Sequence, residues 1–122
     1  MKLRKSKITK NSAYKEFFVN SNKMVGKYFV ILYKGTKVEV DEQVNFKYGI
    51  TASKKIGNAV KRNWCKRMIR ILVKQIDLVD LTKDLCINVI ARKFMIAEKL
   101  TILKDDFDCS IKKIVVYEKK SK

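Results

Sequence analysis

The chain has 122 residues, 47% of them apolar, which is one domain's worth and enough for a single modest core. Lys plus Arg number 29 against 12 Asp plus Glu, a formal charge of +17, and there is no histidine and no proline. These counts exclude a His–Asp or Cys–His catalytic pair, a zinc site built on imidazole, and a disordered basic tail.

Residues 1 to about 8 are basic and polar and are expected to form a mobile end, as is the stretch 117–122. Tyr14, Phe17 and Phe18 suit a short helix from Ser12, a capping residue, to Val19, with Asn20-Ser21-Asn22 as its stop. Lys27 to Tyr33 (KYFVILY) is dense in aromatic and β-branched residues and reads as a buried strand. A polar connection follows, carrying Glu39, Asp41 and Glu42. In Val44 to Ser53, the side chains of Val44, Phe46, Tyr48 and Ile50 fall on one face of a second strand. The period turns helical from Gly57 to about Asp80. Leu85 to Ala91 (LCINVIA) reads as a further strand. Thr101 is expected to cap a last helix to about Val116, with Leu103, Phe107, Ile111 and Ile114 on its core side. Asp105 and Asp106 near its start and Lys112 and Lys113 near its end suit the helix dipole.

The expected fold is therefore a single α+β domain, a two-layer sandwich of a small central sheet with helices, in the rough order α-β-β-β-α-β-α. The helix between the strands at 44–53 and 85–91 is a candidate βαβ crossover, whose handedness is not legible in the residues. Cys65, Cys86 and Cys109 lie 21 and 23 residues apart without a CxxC pair, so neither a metal knuckle nor a disulfide framework fits. They read as reduced, mostly buried small hydrophobes. No apolar run approaches the ~20 residues of a membrane span, and the basic start lacks the apolar segment of a signal peptide. A cytoplasmic protein is expected.

Lys54 to Lys74 (KKIGNAVKRNWCKRMIRILVK) holds eight cations, Lys54, Lys55, Lys61, Arg62, Lys66, Arg67, Arg70 and Lys74, and no acid. On a helical wheel Arg62, Lys66 and Arg70 fall in one row, with Asn63, Arg67 and Lys74 beside it. Cys65, Met68, Ile69, Leu72 and Ile76 make an apolar arc on another side. Solvated helix faces normally mix charge signs; an acid-free run of this density points to a polyanion, with nucleic acid ahead of an anionic membrane surface. Cations one helical turn apart, about 5–6 Å, match phosphates along a strand, and Arg adds bidentate geometry. Asn58 and Asn63 are candidates for ribose or base edges, and Gly57 for a close backbone approach beside the helix N-terminus. Tyr14, Phe18, Phe29 and Phe46 are candidates for a face on which bases stack, the alternative for each being the core.

The run Ser53-Lys54-Lys55-Ile56-Gly57-Asn58-Ala59-Val60-Lys61-Arg62-Asn63, followed by Lys66-Arg67 and Arg70, closely resembles the signature of the bacterial ribonuclease P protein component. The N-terminal aromatic helix leading into Lys27-Tyr28-Phe29-Val30, and the strand end Ile90-Ala91-Arg92-Lys93, resemble the same family, so the likeness covers about residues 7–115. It implies a left-handed βαβ crossover and a protein subunit that binds a catalytic RNA. That RNA cleaves the 5′ leader from precursor tRNA by hydrolysis, using Mg2+ held mainly by the RNA. The protein alone is expected to be inactive, with no catalytic or metal residue of its own and no obligate protein partner. By resemblance, Lys54, Lys55, Asn58, Arg62, Asn63, Lys66, Arg67 and Arg70 face the catalytic RNA, and Tyr14, Phe18 and Arg92 line a cleft for the leader. Two positions depart from the family. Trp64 stands where the Arg-Asn-Arg core has its second Arg, and either stacks on a base or packs beside Val60 and Ile71. Leu32 stands where the family often has an aromatic, with Tyr33 one residue out of phase.

Charge and fold class alone also suit a ribosomal-type RNA-binding protein, which would show no leader-dependent affinity. An autonomous nuclease needs converging carboxylates, and Asp105, Asp106 and Asp108 on one helix do not supply them. Major-groove DNA binding by the basic helix has no turn or dimer context here.

Overall fold

The computed structural model describes residues 2–7, 21–36, 43–76, 84–96 and 98–120. Five strands, β1 (Lys2–Lys7), β2 (Asn22–Val25), β3 (Phe29–Thr36), β4 (Gln43–Thr51) and β5 (Asp84–Ala91), make one sheet in the order β1-β4-β5-β3-β2. Among the described residues two helices, α1 (Ala59–Gln75) and α2 (Leu100–Lys120), join the sheet in an α+β architecture, with short 3₁₀ turns at Lys54–Ile56 and Lys93–Met95. β4 and β5 are parallel neighbours joined through α1, so the expected βαβ crossover is present. β3 lies antiparallel to β5 and to β2.

Strand alternation decides which face is buried. Phe29, Ile31 and Tyr33 on β3, Phe46 and Tyr48 on β4, and Leu85, Ile87, Val89 and Ala91 on β5 are all buried. The pairings Phe46↔Leu85, Tyr48↔Ile87 and Ile31↔Val89 put them on one side of the sheet. The helices cover that side. Leu103, Phe107, Ile111 and Ile114 of α2, the four positions expected from the 3.6 period, are buried, and Phe107 meets Phe29 edge to face with ring centroids 5.5 Å apart. From α1 come Cys65, Met68, Ile69, Leu72 and Val73, with Ile76 just beyond its end. On the opposite face Val30, Leu32, Cys86 and Ile90 are half-buried, while Asn88 is fully enclosed and exchanges hydrogen bonds of 3.2 and 3.3 Å with the Thr51 hydroxyl. A buried amide needs such a partner.

Several expectations change. Lys2–Lys7 is not a loose end: it forms β1, running parallel to β4 in the register Leu3↔Val44 to Lys7↔Tyr48. A lysine-rich edge strand gains its hydrogen bonds from β4 and carries no apolar alternation to betray it. β2 escapes the pattern for the same reason, being four mostly exposed residues. α1 is shorter than expected, ending at Gln75 where Ile76 turns extended (φ −67°, ψ 143°). α2 begins at Leu100 and continues to Lys120, past the predicted end near Val116. Thr101 is therefore inside the helix, and no acid lies in the first turn, so Asp105 and Asp106 do not serve the dipole there. Of the cysteines only Cys65 is buried; Cys86 is half-buried and Cys109 exposed. Burial pushes the thiols of Cys65 and Cys86 up, so both stay protonated at neutral pH. The predicted helix at 12–19, with Tyr14, Phe17 and Phe18, lies outside the described residues.

Candidate nucleic-acid interface

The basic segment divides into a turn and a helix, and one backbone position makes the division. Gly57 has φ 139°, a conformation that side chains resist, and a Cβ there would meet Lys61 Cδ at 3.0 Å. Asn58 then starts α1. Its Oδ1 accepts the Lys61 backbone N–H at 3.0 Å, so the side chain predicted to reach RNA is first of all a helix cap. Asn58→Ala is expected to lower stability by about 1 kcal/mol, whereas Asn58→Asp retains it; thermal unfolding followed by circular dichroism distinguishes them.

With α1 seated on the sheet, Asn63, Arg67, Arg70 and Lys74 are exposed and follow one another at helical spacing along the outer ridge. Arg62 and Lys66 are half-buried on its flank, while Lys54, Lys55 and Lys61 are exposed at its N-terminal end. Of the row drawn from the wheel, Arg62 and Lys66 thus lie beside the most exposed line, and Arg70 lies on it. At ~1.5 Å rise per residue the ridge from Asn63 to Lys74 is about 16 Å long. No acid lies in the first turn of α1, so its positive dipole end adds to the cations. The predicted RNA-facing residues are therefore brought together along α1 and the 3₁₀ turn that precedes it.

Trp64 is half-buried and packs against the core, as does Ile71; Val60, offered as its neighbour on the apolar rim, is 76% exposed. Phe29 and Phe46, candidates for base stacking, are 2% and 0% exposed and belong wholly to the core, because their strand registers turn them toward the helices. Leu32 lies on the face away from the helices and Tyr33 on the core face, as the one-residue phase difference requires. Tyr14 and Phe18 are outside the described residues.

Arg92 follows β5 directly. Its backbone N–H donates to the Tyr28 carbonyl at 3.0 Å, and Nη1 donates to the Gly26 carbonyl, tying the β2–β3 turn to the end of β5. The guanidinium carbon also lies 5.5 Å from the ring centroid of Phe94, an exposed aromatic that sequence reasoning missed. Its only signal was the adjacency of a phenylalanine to Arg92-Lys93 in a turn.

The described residues contain no helix long and apolar enough to cross a membrane. They also contain no group of three or more Cys, Asp or Glu side chains placed to hold a metal ion.

Comparison with known proteins agrees with this fold. A family model described as Ribonuclease P matches residues 2–115. The ribonuclease P protein component of Bacillus cereus strain AH187 is 40% identical over 91 residues, 74% of this chain and 74% of that one. The structure of the Staphylococcus aureus RNase P protein superposes with a TM-score of 0.69 at 28% identity, covering 88% of this chain and 94% of that one. The RNase P protein of Thermotoga maritima shares the fold, with a TM-score of 0.71 over 88% of this chain and 96% of that one at 21% identity.

Proposed function

The chain belongs to the ribonuclease P protein family, and on that premise we propose that it is the RNA-binding subunit of a ribonuclease P holoenzyme. In that role it binds the catalytic RNA and the 5′ leader of precursor tRNA, and so supports the hydrolysis that produces the mature tRNA 5′ end. The observation that carries the reading is the acid-free cationic ridge of α1, mounted on a packed sheet and so held in one geometry. Arg62, Asn63, Lys66, Arg67 and Arg70 along α1, with Lys54, Lys55 and Asn58 at its start, are assigned to the catalytic RNA. Arg guanidinium groups take phosphate oxygens in pairs, and the lysines contribute point charges. Tyr14, Phe18 and Arg92 are assigned to the leader.

The chemistry is assigned to the RNA. Magnesium supplies the activated water and the charge stabilisation of phosphodiester hydrolysis when bound. The ion is assigned to the RNA as part of this reading. This chain's own residues bind phosphates, orient the two RNAs and reduce the repulsion between them, which otherwise demands more divalent cation.

The test is cleavage of a precursor tRNA by a bacterial ribonuclease P RNA at low magnesium, with and without the protein. The expected result is stimulation with a correct 5′ end and no cleavage by protein alone. Absence of stimulation by folded, RNA-binding protein would overturn the subunit reading in favour of a structural RNA-binding role. Cleavage by RNA-free protein would overturn the assignment of chemistry to the RNA.

A further inference from the structure

Two parallel strands end side by side, and each runs at once into a cationic 3₁₀ turn. Thr51, the last residue of β4, pairs with Ile90 near the end of β5. Lys54 and Lys55 therefore leave the sheet at the same end as Arg92 and Lys93. The β2–β3 turn closes at that end too, held by Arg92 through the Gly26 and Tyr28 carbonyls.

In the Lys93–Met95 turn the side chains divide sharply. Met95 is 0% exposed and fills the core, whereas Phe94 is 59% exposed. Phe94 is thus an aromatic ring standing outside a core that is already closed beneath it, beside the guanidinium of an anchored arginine. A large exposed aromatic in a cationic setting suits a ligand with both a π-face and a negative charge. The Glu98 carboxylate accepts from the Tyr28 hydroxyl and the Lys99 N–H.

We propose that Phe94 is a stacking residue for an unpaired nucleobase of single-stranded RNA, with Arg92 and Lys93 taking the adjoining phosphates. The inference rests on the RNA-binding reading above and deepens it. The leader strand, once past Arg92, lays a base on Phe94 at the junction between the leader surface and the Lys54–Lys55 end of the catalytic-RNA surface. Stacking on an aromatic face needs no hydrogen-bond pattern, so this contact grips the strand without strong choice of base.

The experiment measures the affinity of the reconstituted holoenzyme for precursor and for mature tRNA, using full-length wild type and the Phe94→Ala, Phe94→Leu and Phe94→Trp variants. Phe94 is exposed, so each variant folds; circular dichroism checks this. The alanine and leucine variants are expected to lose about tenfold for precursor and nothing for mature tRNA, with the salt dependence of precursor binding unchanged because no charge is removed. Phe94→Trp is expected to keep wild-type affinity. Wild-type-like precursor binding by Phe94→Ala overturns the inference alone. Full affinity in Phe94→Leu also overturns it, since an apolar contact, as in a protein-docking surface, would then suffice. A wild-type holoenzyme that does not distinguish precursor from mature tRNA overturns the leader reading itself, and this inference with it.

Discussion

Replacing Arg62, Arg67 and Arg70 together by alanine is expected to weaken association with ribonuclease P RNA by roughly 10²- to 10³-fold near physiological salt. At about 1–1.5 kcal/mol for each solvent-screened surface contact to phosphate, at or below the ~1.5–3 kcal/mol of a charged hydrogen bond, three contacts amount to about 3–4.5 kcal/mol, or two to three decades of affinity. The salt dependence is the sharper readout. Each lost phosphate contact returns roughly one counterion, so the slope of log K against log[salt] is expected to shallow by about two to three. Folding should survive, because Arg67 and Arg70 are exposed, Arg62 is half-buried, and alanine is the best helix former. The matching triple lysine variant separates charge from geometry. It is expected to keep the salt slope while losing part of the affinity, since lysine cannot make the paired contact of a guanidinium. An unchanged slope in the alanine variant would mean that this ridge does not touch phosphate.

Phe107→Ala is expected to cost about 3–5 kcal/mol of stability, out of the ~5–15 kcal/mol typical of a domain. Phe107 is fully enclosed and stands edge to face against Phe29, so its removal leaves a cavity between α2 and β3 that neither can close without shifting the other. A fall in melting temperature of more than about 10 °C follows for a chain of this size. Val116→Ala, on the exposed side of the same helix, should change stability by no more than ~0.5 kcal/mol. Urea unfolding of the two variants side by side gives the comparison. A loss below about 1 kcal/mol for Phe107→Ala would mean that α2 is not held against the sheet through this ring. Because none of the residues proposed to face RNA lies on α2, RNA binding by folded Phe107→Ala protein is expected to keep its wild-type salt slope.

What the sequence determined by itself is whatever local periodicity and residue chemistry encode. The 3.6-residue period placed the core sides of both helices, because a helix side chain's direction depends on its own position in the helix. Thus Leu103, Phe107, Ile111 and Ile114, and Cys65, Met68, Ile69 and Leu72, are buried as their spacing requires. Alternation assigned Phe46 and Tyr48 to one strand face for the same local reason. The cationic side of α1 was legible because an acid-free run of basic residues is a property of composition and needs no contact to define it.

The tertiary structure alone decided the remainder, where the cause lies in residues distant along the chain. Lys2–Lys7 is a strand only because β4 offers it an edge some forty residues away. Phe29 could serve equally as core or as stacking surface until α2 came to cover that face with Phe107. Trp64 packs against the core, as does Ile71, because of how α1 is rotated on the sheet, which no wheel specifies. Arg92 is anchored by carbonyls 64 and 66 residues earlier in the chain, and the same fold leaves Phe94 outside while Met95 closes the core. Periodicity tells a side chain which way to point from its own element; what waits there is settled by the packing of elements that meet only when the whole chain folds.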